Sequence, residues 1–353
     1  MTQTTAQKRA KRPTQADVAK LAGVSSAVVS SVLNNSRNSS IRVGIEARAR
    51  VIDAMKTLGY SPNPVAQSLV GGRRNIIGVF TSDPTFPSDQ RDFFYPFLYG
   101  IERGAEEVGF DLLLSTSGAS DGEIRSIFRD GQNRLGIADG SILLGLKPNR
   151  EELQSLTEQG YPFVVVGRRE VEGVKLNWVG ADYRLGAMEV VNHLSELGHR
   201  RITYLGEPHR REPQIDREEG YRAAMANIGL SGDDVIRPSG PNEVIEATST
   251  FLERGVTAFV TETAELAMQV ERHLADMGKS VPHHASVAVF GEPFMRSQTH
   301  DKWTRFSIPR EEMGRCAVRM LLRLFDYASG QPLQDMLPCK LRVGATTQPP
   351  RQI

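Results

Sequence analysis

The sequence is poor in cysteine and in long hydrophobic runs, and each shortage excludes a class of protein. Its 353 residues include only two cysteines, Cys316 and Cys339. Two are too few for a disulfide framework or a cysteine-based zinc site, so we expect both to be reduced core residues. No run of about eighteen apolar residues occurs, so we expect no membrane-spanning helix. The N-terminal stretch MTQTTAQKRAKRPTQ is not followed by the apolar segment of a secretory signal, which predicts a cytoplasmic protein.

Common catalytic and cofactor-binding motifs are also missing. The sequence has no G-x-G-x-x-G after its first predicted strand, no phosphate-binding P-loop and no H-E-x-x-H zinc motif. The pair His283–His284 has no further ligands at zinc spacing, which favours a surface turn. We therefore predict that the protein is not an enzyme and that it has neither a cofactor nor a metal site.

Charge is distributed unevenly along the chain. The net charge is +1, but residues 1–75 carry twelve lysines and arginines against three acidic residues, a balance of +9, which leaves −8 on the remainder. A basic head on an acidic body indicates that only the head meets a polyanion such as nucleic acid. A solvated, disordered tail explains the basic residues of segment 1–12 equally well.

Two short helices joined by a Gly-Val pair are predicted just behind this tail. Thr14 can cap a helix that ends near Ala22, Gly23 permits a sharp turn, and Ser25 can cap the second helix. The pattern is typical of a helix-turn-helix unit, whose second helix lies in the major groove of DNA, although a plain helical hairpin shares it. A third helix is predicted over EARARVIDAMKTLGY. The expected core residues of the three helices are Val18, Ala19, Leu21, Val29, Val32, Leu33, Val51, Met55 and Leu58.

From Asn75 onward, predicted strands alternate with predicted helices. Apolar runs such as NIIGVFTS, DGSILLGL and YPFVVVGR indicate buried strands, whereas FLYGIERGAEEVGF and RLGAMEVVNHLSELG have helical spacing. This alternation predicts parallel sheets covered by helices, and the strands are too many for one sheet. We therefore expect two α/β lobes with a cleft between them. The last segment, LPCKLRVGATT, is predicted to be a strand with a loose tail.

The segments TQADVAKLAGVSSAVVSSVLNN and EARARVIDAMKTLGYSPNPVAQSLVGGRRNIIGV resemble the N-terminal part of the LacI/GalR family of bacterial transcriptional regulators. The remainder is similar to the family's type I periplasmic-binding-protein-like effector domain, so the resemblance covers nearly the whole chain. It implies a basic disordered tail over 1–12, a helix-turn-helix domain over 13–62, a hinge helix and linker over 63–74, and a two-lobed effector-binding and dimerisation domain over 75–353.

The resemblance implies a sequence-specific regulator, most often a repressor, that binds a pseudo-palindromic operator as a homodimer and associates with the nucleoid when bound. A small molecule in the interlobe cleft is expected to modulate it. Leu69 matches the leucine that is wedged into the minor groove at the central base step, and Pro64–Leu69 matches the hinge helix. The implied DNA-binding residues are Thr14, Ser25, Ser26, Ala27, Val28, Ser30, Ser31, Asn34, Asn63, Ala66, Gln67 and Leu69.

The predicted recognition helix departs from the family pattern. Residues 26–31 contain no Arg, Lys, Asn or Gln, the side chains that read guanine or adenine in a bidentate manner. Small hydroxyl and methyl groups suit thymine methyls and water-mediated contacts, so we expect hinge insertion and DNA shape to supply more of the specificity. Arg37 and Arg42 in the following loop either reach phosphates or are simply solvated.

The implied effector site also departs from the pattern. Phe93 and Phe94 are expected in a loop after the first strand, and Arg217 either contacts ligand or forms a surface ion pair with Glu218 or Asp216. Gly167 and Gly291 replace acids that relatives often carry, which disfavours a classical sugar site. An anionic or aromatic ligand held by the cleft arginines, or no ligand, remains open. The implied effector-binding residues are Ser82, Phe93, Phe94, Arg168, Arg217, Thr263 and Glu292.

Other interpretations of the body differ in what they require. A solute-binding protein that carries or senses a ligand without specific DNA readout would need a signal peptide and no nucleic-acid head. An α/β enzyme with a regulatory head would need a clustered acid–base or nucleophile set.

Asp182 is expected to cap the helix that follows it. The helix around Met313–Leu324 is expected to supply either a dimer face or core residues.

Overall fold

A computed structural model describes residues 13–34, 43–60, 73–82, 91–116, 125–145, 149–292, 302–326 and 331–351. Contacts within the chain divide it into two compact units, Met1–Arg74 and Asn75–Ile353. Within the described ranges, no single helix has both the length and the apolarity to cross a membrane. The first two helices, Gln15–Ala22 and Ser26–Leu33, are long and apolar enough only when they are counted as one segment, and the angle between them is 107°.

The described part of the first unit contains three helices, α1 (Gln15–Ala22), α2 (Ser26–Asn34) and α3 (Ile45–Leu58). Thr14 begins α1 with a capping box, because its hydroxyl accepts from the Asp17 amide while the Asp17 carboxylate accepts from the Thr14 amide at 2.8 Å. Gly23 ends α1 in the left-handed region with φ of 64°. The 107° bend between α1 and α2 lies within the range of about 90–120° that helix-turn-helix units adopt.

The core of this unit matches the prediction except at one position. Leu21 is 52 % exposed, whereas Ala22 is buried. The reason is helical geometry, since Val18, Ala19 and Ala22 define the inward face and Leu21 falls beside it. Serine 25 behaves as predicted, because its hydroxyl accepts from the Val28 amide at 3.4 Å. The buried residues of the unit are Val18, Ala19, Ala22, Val29, Val32, Val51 and Ala54.

The second unit contains two six-stranded sheets, as the alternating pattern predicts. The first sheet is parallel throughout, with strand order β2-β1-β5-β6-β7-β13, and a short hairpin, β3–β4, precedes β5. Its strands and the hairpin are β1 (Ile76–Thr81), β2 (Asp111–Ser115), β3 (Phe128–Arg129), β4 (Gln132–Asn133), β5 (Gly140–Leu144), β6 (Phe163–Val166), β7 (Trp178–Asp182) and β13 (Gln334–Pro338).

The second sheet has the order β9-β8-β10-β11-β12-β14 and is parallel except for the last pair. The chain passes to this sheet after β7, returns after β12, and crosses again between β13 and β14, so three segments join the two lobes. Its strands are β8 (Ile202–Leu205), β9 (Val235–Ile236), β10 (Ala258–Thr261), β11 (Ser286–Val289), β12 (Thr304–Ser307) and β14 (Lys340–Arg342).

Seven helices flank these sheets within the described ranges. Asp182 caps the helix Tyr183–Glu196 by accepting from the Leu185 amide at 2.8 Å, as predicted. The prediction did not identify the helices Arg150–Glu158 and Pro241–Glu253. The helices are α4 (Arg91–Val108), α5 (Arg150–Glu158), α6 (Tyr183–Glu196), α7 (Glu212–Asn227), α8 (Pro241–Glu253), α9 (Ala264–Asp276) and α10 (Arg310–Asp326), with a short 3-10 turn at Arg134–Ile137.

The C-terminal segment differs from the prediction of one strand and a loose tail. It supplies β13 to the first sheet and β14 to the second, with the buried Cys339 between them. The stretch that follows is anchored, since the Val287 amide donates to the Thr346 carbonyl at 2.9 Å and His199 contacts the Gln348 carbonyl. Both cysteines are free and buried, as predicted.

Helices α4 and α10 cross in backbone contact in the first lobe. A Cβ atom on Gly100 would lie 1.9 Å from the Glu311 carbonyl oxygen, and one on Gly314 would lie 2.4 Å from the Phe97 carbonyl oxygen. The apolar residues of α10, including Met313 and Leu321, are buried in the core shared by the two lobes. The apolar face of this helix is therefore core, which settles the choice against a dimer face.

We predict that Gly100→Ala destabilises the protein by about 1–3 kcal/mol, because the added methyl group cannot fit unless the two helix backbones separate. Urea unfolding of both variants and the parent chain measures the difference. The matched control is Gly136→Ala, whose Cβ would have no neighbour within 4 Å and which should stay within about 0.5 kcal/mol of the parent. Equal stabilities for the two variants would contradict the close crossing.

Candidate functional site

The N-terminal part of α2 presents the predicted DNA-reading residues on its surface. Ser26 and Ala27 are exposed, and Val28, Ser30 and Ser31 are half-buried. The face therefore offers hydroxyl and aliphatic groups, and the described helix adds no charged side chain to it. The side chain of Asn34 lies outside the described residues, and so do Asn63, Ala66, Gln67, Leu69 and the hinge segment.

The starts of α1 and α2 lie close together. Gln15 at the first position of α1 donates from Nε2 to the Ser26 carbonyl at 3.3 Å. Thr14 and Ser25, the two capping residues, are both exposed at these helix starts. Helix N-termini carry free amide groups and a partial positive charge, which favours contact with phosphates. The unit therefore places two phosphate-type contact points beside the polar face of α2.

A cavity of about 130 Å³ lies between the two lobes of the second unit. Five of the seven predicted effector residues line it, whereas Ser82 is buried elsewhere and Arg168 points away. Phe93 and Phe94 belong to the first turns of α4 and not to a loop, because α4 begins at Arg91. The five are Phe93, Phe94, Arg217, Thr263 and Glu292.

Arg217 points into this cavity and does not form the surface ion pair. Its Nε donates to the Phe290 carbonyl at 2.6 Å and its Nη1 to the Pro213 carbonyl at 3.0 Å. Its guanidinium carbon lies 4.1 Å from the ring centre of Tyr183, a cation–π contact. The carboxylates of Asp216 and Glu218 are occupied by other arginines, so the ion-pair interpretation is wrong.

Arg168 links the two lobes outside the cavity. Its Nη2 lies 2.5 Å from Asp216 Oδ1 of α7, and a second contact joins it to Glu170. A parallel bridge joins Arg150 Nη2 to Glu212 Oε1 at 2.8 Å. Arg168 follows β6 in the first lobe, whereas Asp216 and Glu212 belong to α7 beside the second sheet, so both bridges cross between lobes.

The next residue, Arg169, takes the cleft-facing position that the sequence interpretation gave to Arg168. It is 9 % exposed, and it donates to the Arg168 carbonyl at 2.7 Å and to the Gly145 carbonyl at 3.0 Å. Burial lowers the pKa of Arg169, although a guanidinium stays protonated at neutral pH. Side chains that follow a strand alternate in direction, so only the structure could choose between positions 168 and 169.

The sequence interpretation missed further charged groups of the cavity wall, among them Arg310 and Glu262. Arg310 at the start of α10 is 7 % exposed and pairs with Glu292, with 2.7 Å between Nη1 and Oε2. Its Nε is buried and has no hydrogen-bond partner among the described residues. Glu262 is buried and accepts from the Tyr204 hydroxyl and from Arg210 Nη1. Burial, together with the proximity of Glu262, raises the pKa of Tyr204, which keeps its proton.

Thr263 combines a place in the cavity wall with a structural role. Its hydroxyl accepts from the Leu266 amide at 3.3 Å and so caps α9. The same hydroxyl lies 3.3 Å from Glu207 Oε1. Thr263 thus has its hydrogen-bonding capacity largely used within the second lobe, and it offers little to a ligand.

In the described ranges, no group of three or more His, Cys, Asp or Glu side chains could hold a metal ion. The segment GASDG at 118–122 has the G-x-S-x-G spacing of a nucleophile motif and lies outside the described residues.

The two units match different family models. Residues 14–63 match the model described as bacterial regulatory proteins, lacI family, and residues 191–347 match the periplasmic binding protein-like domain. Among solved structures, a transcriptional regulator CelR–cellobiose complex is 27 % identical with a TM-score of 0.61, covering 95 % of this chain and 100 % of that one. A lac repressor dimer bound to operator and an anti-inducer, 21 % identical with a TM-score of 0.70, covers 96 % and 100 % and shares the fold.

Curated relatives match over most of their length. The transcriptional regulator RegA of Clostridium saccharobutylicum is 32 % identical over 88 % of this chain and 92 % of its own. The transcriptional regulator GalR of Escherichia coli is 30 % identical over 91 % and 90 %, and CelR of Thermobifida fusca is 29 % identical over 95 % and 98 %. The chain therefore belongs to the lacI family of bacterial regulatory proteins, the LacI/GalR transcriptional regulators.

Proposed function

We propose that this regulator acts as a cytoplasmic repressor, which binds a pseudo-palindromic operator as a homodimer. A small molecule in the interlobe cavity raises or lowers its affinity for the operator. The observation that carries the DNA-binding part is the helix-turn-helix geometry of α1 and α2, with its 107° bend and exposed second helix. The proposed segments are those the sequence predicts, with the DNA-reading domain over 13–62, the hinge over 63–74 and the effector domain over 75–353.

In the proposed complex, α2 lies in the major groove and the capped starts of α1 and α2 face the phosphates. Ser26, Ala27 and Ser31 meet base edges through hydroxyl and methyl groups. A bidentate contact is worth about 1–3 kcal/mol of discrimination against the wrong base, and these short side chains supply none. The deformability of the central base step, where the hinge residues Ala66, Gln67 and Leu69 insert, then supplies a larger share of the specificity.

The interlobe cavity supports a role as the effector site. Both lobes line it, and ion pairs such as Arg168–Asp216 join the lobes nearby. A ligand that contacts both walls has a different affinity for each relative orientation of the lobes, and this difference is what couples its site to DNA binding. Known complexes of similar proteins hold cellobiose or ribose, which makes a small metabolite the expected class of effector.

The first lobe offers a face for self-association. Tyr95 is 63 % exposed and stacks on Tyr99 of the same helix, with 6.2 Å between ring centres. Leu112 and Leu114 are also exposed on β2, which is the edge strand of its sheet and packs against α4. Burial of these apolar side chains in a second copy would stabilise a dimer through the hydrophobic effect.

A solute-binding protein without specific DNA readout is the second candidate, because the two-lobed body alone fits it. The candidates differ in one measurement, the recovery of DNA by the purified full-length protein. We expect selection of fragments from a random pool at physiological salt to yield a short palindrome with a deformable central step. Recovery of DNA without any common motif, both alone and with a metabolite extract, would favour the second candidate.

We predict that Ala27→Glu weakens operator binding at least roughly tenfold, because it places a carboxylate on the exposed face of α2 against the DNA. An acidic residue in the first turn of a helix is favourable, so the fold should persist. The matched control is Ala49→Glu, the same change at an exposed position of α3. Fluorescence anisotropy with the selected operator measures both, and similar losses would show that α2 does not read the DNA.

We predict that Leu69→Ala weakens binding to the operator at least roughly tenfold and leaves non-specific binding unchanged. An inserted leucine stabilises only a kinked central step, whereas non-specific binding depends on phosphate charge. Titrations of operator and scrambled DNA at the same salt concentration measure both affinities. An equal loss for the two DNAs would exclude the wedge.

A further inference from the structure

We propose that the ligand of the interlobe cavity is a small carboxylate with an apolar or aromatic body, whose carboxylate engages Arg169 and Arg217. This inference rests on the proposed function of the cavity as an effector site. Its starting point is an imbalance of charge, because two guanidinium groups in the cavity wall have no carboxylate partner in the described part of the chain.

The carboxylates of the cavity wall are already engaged, with one exception. Glu292 is paired with Arg310, and Glu262 with Arg210 of the second lobe. Glu265 is exposed at the rim. Within the described ranges, Arg169 and Arg217 donate to backbone carbonyls, which carry no net charge. Glu212, whose charge acts on Arg169, is itself paired with Arg150. The wall therefore presents positive charge that its own acidic residues do not neutralise.

An unneutralised buried cation is costly, which is why buried charges in proteins are usually paired. Arg169 is 9 % exposed and therefore has little access to bulk water. The Nε of Arg310, which is also buried in this wall, has no hydrogen-bond partner. A carboxylate in the cavity would supply the missing charge and accept charge-assisted hydrogen bonds from the guanidinium groups.

The hydrogen-bonding groups of the wall suit a carboxylate better than a sugar. Guanidinium groups only donate, whereas each sugar hydroxyl also needs an acceptor for its own proton. Of the wall carboxylates, Glu262 and Glu292 already accept from arginines, and the remaining one, Glu265, is exposed at the rim. Burial raises the pKa of Tyr183, so its hydroxyl stays protonated and adds a further donor. Gln214 Oε1 is buried without a partner and provides one acceptor for a donor on the ligand.

The remaining wall determines the body of the ligand. Phe93, Phe94 and Phe97 of α4 form one side, and Ile308 and Met313 contribute further apolar surface. The cavity measures about 130 Å³ in this conformation, below the roughly 300–1,000 Å³ of common ligand pockets. A small ring or short branched chain fits these walls better than a disaccharide.

The two arginines belong to different lobes. Arg169 follows β6 in the first lobe, and Arg217 lies on α7 beside the second sheet. A carboxylate that engages both adds an attraction between the lobes that the ligand-free protein lacks. Ligand charge would thus favour the orientation seen here, because a neutral molecule of the same shape gains no such attraction.

The test uses purified full-length protein and isothermal titration calorimetry. The probes are benzoate, para-hydroxybenzoate and isovalerate, each compared with its neutral amide, and the sugars are cellobiose and ribose. We expect at least one carboxylate to bind roughly tenfold or more tightly than its amide and than either sugar. Arg169→Gln and Arg217→Gln should each lower that affinity roughly tenfold, and Arg217→Lys should retain part of it.

The matched control is Arg200→Gln, an exposed arginine of the second lobe that also donates mainly to backbone carbonyls, and it should bind as the parent does. Tighter binding of a sugar or an amide would overturn the carboxylate assignment and leave the effector cavity in place. No binding by any probe would also overturn it. Operator binding by the same preparations, measured with and without a metabolite extract, reports the DNA-binding part of the proposed function separately, because it depends on the DNA-reading unit and not on the carboxylate probes.

Discussion

The backbone contact between helices Arg91–Val108 and Arg310–Asp326 is the constraint on which the cavity depends. Glycines at positions 100 and 314 allow each helix to approach the carbonyl groups of the other, so neither helix can shift without opening the core. The first turns of both helices then meet at the cavity. One presents aromatic rings, including Phe93, and the other presents Arg310 and Met313. The apolar wall and part of the charge of the site follow from this single crossing.

Electrostatics of the cavity depend on which carboxylates the surrounding structure has already engaged. The second lobe neutralises Glu262 and Glu218 internally through Arg210. Asp216 and Glu212 serve in bridges to the first lobe. Most acidic residues near the cleft are therefore paired with arginines that stabilise the two lobes and the junction between them. Positive charge remains at the cavity itself, where a ligand can supply its complement.

The two units have different proposed roles, DNA contact for the three-helix unit and ligand response for the two-lobed unit. A small three-helix unit with a core of valine and alanine holds a polar helix face and two capped helix starts for DNA. The larger unit provides two lobes, and in the proposed function their relative orientation responds to a ligand. In the proposed complex, α2 reads the DNA with short side chains, and the contacts proposed for Leu69 and its neighbours at the hinge supply a larger share of the specificity.

The sequence by itself determined the features that depend on near neighbours in the chain. Thr14, Ser25 and Asp182 cap helices because a short polar side chain needs only the next few amide groups, and alternating patterns sufficed for two lobes and a helix-turn-helix. Tertiary structure alone decided that Arg169 and not Arg168 faces the cavity, and that the segment around Cys339 joins both sheets. In each case the outcome depends on residues distant in the chain, which local periodicity does not encode.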